Sequence, residues 1–112
     1  MSETTIRPVE GILVVRSKGA VIAESGRAMA LEEDGKEPVH FVPREDVAMA
    51  FLERSATTES STVTGDVEYF HIMAKSGTVE DAAWSYPAPL ETMSAIAGLI
   101  AFDGEKAAVE VL

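Results

Sequence analysis

The sequence predicts a mainly β domain, a compact antiparallel arrangement with one or two short helices. Three observations predict it. Short bursts of Val, Ile and Ala alternate with Ser/Gly and Asp/Gly turn signals, which is the pattern of strands and hairpins. The chain has 112 residues, of which 46% are hydrophobic and 6% aromatic, enough for one core that buries about two-thirds of the unfolded surface. It contains no cysteine, so the core carries the stability without disulfide staples. Cysteine-built zinc sites, thiol nucleophiles and iron–sulfur clusters are excluded for the same reason. Residues 1–112 read as a single domain with no zinc site.

The elements follow in chain order. Ile12 to Arg16 is a β-branched run, Ser17-Lys18-Gly19 a turn, and Ala20 to Glu24 the returning strand. Ser25-Gly26 is the next turn and Arg27 to Glu32 a third strand, so the three read as a meander. Glu32 to Pro38 is an acidic loop. Val39 to Val42 is extended and stops at Pro43, because a residue before proline is pushed toward extended geometry. Pro43 then opens a short helical turn through Arg44, Glu45 and Asp46. Val47 to Arg54 fits both periods and is read as a short helical turn followed by a strand.

Ala56 to Thr64 is nearly all Ser, Thr and Glu and reads as a loop. Val67 to Ala74 and Thr78 to Tyr86 form a hairpin around Lys75-Ser76-Gly77. Pro87 and Pro89 end that ladder. Pro89 suits the first position of a helix in which Leu90, Met93 and Ala97 share a face, with Gly98 as its C-terminal cap. Leu99 to Phe102 is a strand, Asp103-Gly104 a hairpin turn, and Ala107 to Val111 a further strand.

Three segments carry a family resemblance: Pro38-Val39-His40-Phe41-Val42-Pro43-Arg44-Glu45-Asp46-Val47, Ala83-Trp84-Ser85-Tyr86-Pro87-Ala88-Pro89 and Ile96-Ala97-Gly98-Leu99-Ile100-Ala101-Phe102. In order and spacing they resemble the bacterial domain-of-unknown-function family 427, over roughly Gly11 to Lys106. The resemblance implies a compact domain similar to the β-tent group, which includes methionine sulfoxide reductase B and the thalidomide-binding domain of cereblon. The chain departs from the family pattern at two places. Thr58 to Gly65 stands where many members have a Thr-x-Cys-Pro-x-Lys-Gly-like segment, with Ser61 near the Cys and Thr64 near the Lys. Asp103 stands where members often have Tyr. Any family site built on those groups is absent or altered here.

Charge removes several function classes. Lys and Arg number 9 against 19 Asp and Glu, a formal net charge of -10, and no two basic residues are adjacent. Duplex nucleic acid and anionic lipid both select for clustered cations, so neither is an expected partner. The longest run without a polar side chain, Ala95 to Phe102, falls well short of the roughly 20 residues that span a bilayer. Met1 to Val9 carries Glu3, Arg7 and Pro8 and does not resemble a secretory signal. A cytoplasmic location is the expectation.

Members of the family are sometimes catalogued as predicted nucleotidyltransferases. That chemistry needs two carboxylates two residues apart on a strand to hold Mg²⁺, and Asp66 and Glu68 have that spacing. A Gly-Ser turn to seat phosphates is missing from Glu53 to Thr57, so an exposed strand face is the plainer reading. His40 and His71 are the only histidines. Each is a candidate base or ligand, although His40 lies in an apolar run that suits packing. Trp84 and Tyr86 alternate and so face one side of a strand, where they could stack a planar ligand or a cation; core anchoring is the alternative. The resemblance adds weight to stacking, since cereblon-like domains hold ligand in an aromatic cage. Arg44 and Asp46 could orient a carboxylate or phosphate, or form a local ion pair or cap. The Ser/Thr stretch Thr57 to Thr64 could line a polar pocket, although a solvated connection is the commoner outcome; Ser61, Thr64, Tyr69 and His71 are the weaker binding candidates.

Three functions of different classes follow. The first is a small-molecule or peptide binding module, with homodimerisation left open and an apolar pocket near Trp84, Tyr86 and His40. The second is an enzyme on a small metabolite, using His40, Arg44 or the Asp66/Glu68 pair in acid–base or metal roles. The third is an interaction domain that pairs through an exposed strand edge. No cofactor is implied.

Overall fold

A computed structural model describes residues 4–62 and 64–112. Met1 to Glu3, part of the segment read for a secretory signal, and Val63, inside the Thr58 to Gly65 stretch, lie outside the described residues. The strands are β1 (Thr4–Pro8), β2 (Leu13–Ser17), β3 (Ala20–Ser25), β4 (Met29–Glu33), β5 (Val39–Val42), β6 (Leu52–Ser61), β7 (Gly65–Ala74), β8 (Gly77–Ser85), β9 (Ile100–Phe102) and β10 (Ala108–Val111). They form a seven-stranded sheet in the order β1-β4-β5-β9-β8-β7-β6 and a three-stranded sheet in the order β10-β2-β3. All pairings among the named strands are antiparallel. The mainly β class is therefore as the sequence predicts.

Local chemistry explains the hairpins. Lys18 and Gly19 both have positive φ, 52° and 80°, as the tight two-residue turn between twisted strands requires. Short 3-10 turns cover Arg44–Asp46, Met49–Phe51 and Glu91–Ile96. The first two agree with the helical turns expected after Pro43 and within Val47 to Arg54.

Four expectations need correction. The predicted three-strand meander breaks after β3, because β4 pairs with β1 and β5 in the larger sheet. Gly26 marks the place where the chain changes sheets. Likewise, β9 and β10 belong to different sheets, so Asp103-Gly104 is a crossing between sheets and not a hairpin turn. The expected loop Ala56 to Thr64 is largely strand: β6 continues to Ser61, paired with β7 as far as Gly65. Its Ser, Thr and Glu side chains face solvent on an edge strand, where polarity follows position and not loop conformation. The segment after Pro89 is a kinked 3-10 stretch that buries Met93 and Ile96, not a helix presenting Leu90, Met93 and Ala97. The strand Thr4–Pro8 has no counterpart in the sequence reading. It is mostly exposed and shows no apolar alternation.

The larger sheet has a core on each face. Leu13, Val15 and Ile22 of the small sheet pack with Val42, Phe70, Ile72, Ala83, Ile100 and Phe102. Leu31, Phe41 and Ala101 pack on the opposite face with Met93 and Ile96, and half-buried Trp84 and Tyr86 join them. Neighbours along one strand thus serve different cores, Phe41 one and Val42 the other, as the period of two dictates. An isolated bridge, Ala23 to Val47, and the Ala48 N–H donating to Ile22 O at 2.7 Å tie the small sheet to the segment before β6.

Candidate functional site

The face of the large sheet that turns away from the small sheet carries the site. Register places Met29, Phe41, Ala101, Trp84 and Tyr69 in one row across β4, β5, β9, β8 and β7. Tyr86 adds a second ring beyond the end of β8. Its ring centroid lies 5.8 Å from that of Phe41, tilted by 42°. Trp84 Nε1 donates to Tyr86 Oη at 3.2 Å, so the two side chains do share a side, as the alternation predicts. Burial pushes the Tyr86 phenol up, while the Trp84 N–H acts in the opposite direction. Burial also pushes the Tyr69 phenol up to about 12, reinforced by its hydrogen bond to Glu59 and by that carboxylate's charge. Tyr69 is therefore a neutral donor at ordinary pH.

Two irregularities shape the surface beside this row. Along β6, residues 55–57 stand opposite Tyr69 alone, because Arg54 pairs with Phe70 and Thr58 with Glu68. Along β8, residues 80–82 stand opposite His71 alone, because Val79 pairs with Ile72 and Ala83 with Phe70. These are β-bulges, which re-aim side chains away from regular strand alternation. They flank β7 on either side and meet over it: Thr57 Oγ1 donates to Asp81 Oδ2 at 2.9 Å. Asp81 has a φ of 47°, uncommon for a residue other than glycine but tolerated by Asp. Its N–H donates to His71 Nδ1 at 3.1 Å, which assigns the imidazole proton to Nε2. The hydroxyls of Ser55 and Thr57 hold the Asp81 carboxyl below the usual carboxylate range. Its Oδ1 is buried and makes no hydrogen bond of ordinary geometry.

A cleft of about 580 Å³ opens here, lined by Thr57, Glu59, Tyr69, Asp81, Trp84 and Tyr86, with Ser61, Thr64, Asp103 and Lys106 at its sides. Ser61, Thr64 and Tyr69, the weaker candidates, therefore reach the same cleft as Trp84 and Tyr86. Most of the lining is polar, so the apolar pocket expected near Trp84, Tyr86 and His40 is divided between this cleft and a more apolar one beside His40. His40 is not in this cleft. It lines a second one of about 560 Å³ with Pro38, Val39, Phe102 and Val109, and Trp84 and Asp103 border both. Burial, then the charge of Arg7, pushes the His40 imidazole down, with Glu32 opposing.

The other candidates lie elsewhere. Arg44 and Asp46 do not act together. Arg44 Nε donates to Gly98 O at 2.8 Å and Nη2 to the fully buried Ser85 hydroxyl at 3.3 Å. Its guanidinium also lies 5.7 Å from the Phe70 ring centroid. Asp46 accepts from Ser25 Oγ at 2.7 Å and from Arg27, and these hydrogen bonds lower its carboxyl pKa. Both side chains are structural ties between distant segments. Asp66 and Glu68 share a shallow recess with Arg54. The Glu68 carboxylate is claimed by Arg54 at 2.7 Å and Arg44 at 3.5 Å, so it is not poised as a metal ligand. His71 lies beneath the Asp81 bulge, its Nδ1 3.7 Å from Asp81 Oδ1. Among the described residues no group of three His, Asp or Glu is placed to hold a metal ion.

Sequence reasoning missed Asp81 and Lys106, whereas the stretch Thr57 to Thr64, read as a polar pocket lining or a solvated connection, supplies Thr57, Glu59, Ser61 and Thr64 to the cleft. A signal for Asp81 exists: Glu80-Asp81 interrupts a strand with two acids in succession, and Asp is depleted in regular strands. Within Thr57 to Thr64 the composition is uniformly polar and does not single out Thr57 as the residue that reaches Asp81.

No curated protein matches the chain. A family model described as a domain of unknown function, DUF427, matches residues 5–112, slightly beyond the Gly11 to Lys106 span of the three resembling segments. That match covers nearly the whole chain, including both bulges and every residue of the cleft, and the chain belongs to the DUF427 family.

Proposed function

We propose that this protein is a small-molecule binding module whose ligand seats in the cleft formed by Tyr69, Trp84 and Tyr86. One observation carries the reading: three aromatic side chains from β7, β8 and the segment after it line one cleft of about 580 Å³. That volume lies within the range of about 300–1,000 Å³ typical of ligand sites. Aromatic faces supply stacking area, while Thr57, Glu59 and Asp81 supply hydrogen-bonding groups that fix orientation. The bulges favour the same reading, since they bring Thr57 and Asp81 together over β7 beside the ring row.

Trp84 is the only tryptophan and therefore a built-in reporter. A panel of nucleosides, sugars, amino acids, amines and cyclic imides is titrated while Trp84 fluorescence and melting temperature are followed together. The expected outcome is a saturable fluorescence change with a matching rise in melting temperature, since a ligand that binds only the folded state stabilises it. Tyr69→Phe keeps the ring and removes the hydroxyl, and is expected to weaken binding several-fold. Silence in both signals across the panel overturns the reading.

A further inference from the structure

The chemistry of the same cleft selects among ligands, and the following inference rests on reading that cleft as a binding site. Among its described lining residues are three carboxylates, Glu59, Asp81 and Asp103, against one ammonium, Lys106. Lys106 Nζ is turned onto main-chain oxygens, those of Glu80 at 3.1 Å and Asp81 at 3.4 Å. It neutralises little of the carboxylate charge by direct pairing. Glu59 is engaged by the Tyr69 hydroxyl, and Asp103, at the side of the cleft, accepts the Glu105 N–H at 2.9 Å; Asp81, whose charge acts on Tyr69, is the carboxylate set beside the ring row.

A carboxylate offers about four acceptor positions. Asp81 Oδ2 takes the Thr57 hydroxyl, the Ser55 hydroxyl also bonds the carboxylate, and the buried Oδ1 takes no hydrogen bond of ordinary geometry. The neighbouring His71 Nδ1 is itself an acceptor, of the Asp81 N–H, and offers no proton to that oxygen. The side chain of Asp81 is nevertheless 30% exposed and lines the cleft. Beside it, the faces of Tyr69, Trp84 and Tyr86 carry the negative lobe of the aromatic quadrupole, which attracts cations. Carboxylate and ring faces thus favour the same sign of charge. A compact metal ion needs several oxygen ligands converging at short range, whereas a diffuse organic cation needs one counter-ion and a ring face.

We propose that the cleft takes an organic cation, an ammonium, amidinium or guanidinium carried on an apolar or planar body, with the Asp81 carboxylate as counter-ion and the Trp84 and Tyr86 rings as its walls. Anionic ligands of the same shape are rejected by the three carboxylates.

Three probes of nearly one shape test this: benzamidinium, benzamide and benzoate, titrated into the full-length protein at fixed ionic strength with Trp84 fluorescence as the readout. Benzamidinium is expected to bind at least about tenfold more tightly than benzamide, and benzoate not to bind. Asp81→Asn is expected to bring the ratio of benzamidinium to benzamide affinity down to near one, whatever its effect on the affinity for benzamide. Asn tolerates positive φ, and an unchanged circular dichroism spectrum verifies the fold. Lys106→Gln removes the competing cation at a different position and is expected to tighten benzamidinium binding several-fold, an effect that loss of fold cannot mimic. Equal binding of benzamidinium and benzamide overturns the charge assignment and leaves the aromatic cleft standing. Binding of benzoate in preference to benzamidinium also overturns it. Failure of all three probes, together with silence across the wider panel, overturns both readings.

Discussion

At the scale of single residues, Arg44 shows how a side chain attractive as a ligand clamp is used up by the fold. It ties Gly98 O, the Ser85 hydroxyl and Glu68 together over the Phe70 ring. Arg44→Met leaves Ser85, fully buried, and the Gly98 carbonyl without this donor, and is expected to destabilise the protein by about 2 kcal/mol in urea denaturation. Arg44→Lys recovers only part of that, because an ammonium lacks the forked geometry. The titratable residues divide into two pH windows. His40 is depressed by burial and Arg7, so the unfolded chain binds its proton more readily than the folded one. Stability from this source is complete above the ordinary histidine value of about 6.5 and declines as pH falls below it, until the folded value is passed. His40→Gln is expected to flatten the denaturation midpoint across pH 7 to 5. Asp46 and Asp81 are also depressed. Their contribution is present above the ordinary carboxylate value of about 3.9 and is lost as pH falls through their lower folded values. Acid titration of the Asp46→Asn variant, followed by circular dichroism, is expected to show a shallower loss of structure.

At the scale of elements, the bulges decide what the sheet can present. The register beside the turn, Ile72 with Val79, would set Ala82 opposite Tyr69 if it continued unbroken, and the β8 bulge brings Trp84 there instead. The excess residues at 55–57 and 80–82 are invisible to a period-two reading, because nothing in a strand's composition says which partner residue it skips. Trp84 and Tyr86 were legible as a shared wall and Thr57 as part of a polar lining, while Asp81 was not legible as the group that meets Thr57 over β7. Asp81 offers a test of how far the bulge depends on its residue. A β-branched side chain at φ 47° is strained, so Asp81→Val is expected to lose about 2 kcal/mol in thermal or chemical denaturation. Asp81→Asn is expected to lose less than half as much. Equal losses would mean that the hydrogen bond from Thr57, and not the backbone, governs the bulge. Gly65 plays the complementary part at the start of β7. Its φ is 71°, and an added Cβ would lie 2.8 Å from Ala88 O, so only glycine fits where β7 passes under the segment that follows Tyr86.

At the scale of the whole molecule, the large sheet separates two cores, and the one behind the site is the smaller. Phe41 is fully buried in it and lies against Tyr86. Phe41→Ala is expected to destabilise by about 3–5 kcal/mol and to change Trp84 emission, because the cavity opens behind the aromatic wall. Val42→Ala acts on the other core and is expected to leave that emission unchanged at a loss of about 1–3 kcal/mol. The fold class was readable from valine bursts and glycine turns, and every strand but β1 had a counterpart, β6 only at its start. Sheet membership was not readable, since Ser25-Gly26 and Asp103-Gly104 have the composition of hairpin turns yet carry the chain from one sheet to another. A turn residue permits a reversal but does not say which neighbour the next strand will find.

That interleaving has a kinetic consequence. β2 is completed on one side by β10, with Arg16 opposite Ala108 and Val15 opposite Val109, so the central strand of the small sheet waits for almost the whole chain. Loop closure over such a span is entropically slow, and folding on the scale of about milliseconds to seconds is expected for a topology so rich in non-local pairs. During synthesis the β2–β3 hairpin emerges early with one flank unpaired, and the nascent chain cannot close its principal core until β10 has cleared the ribosome.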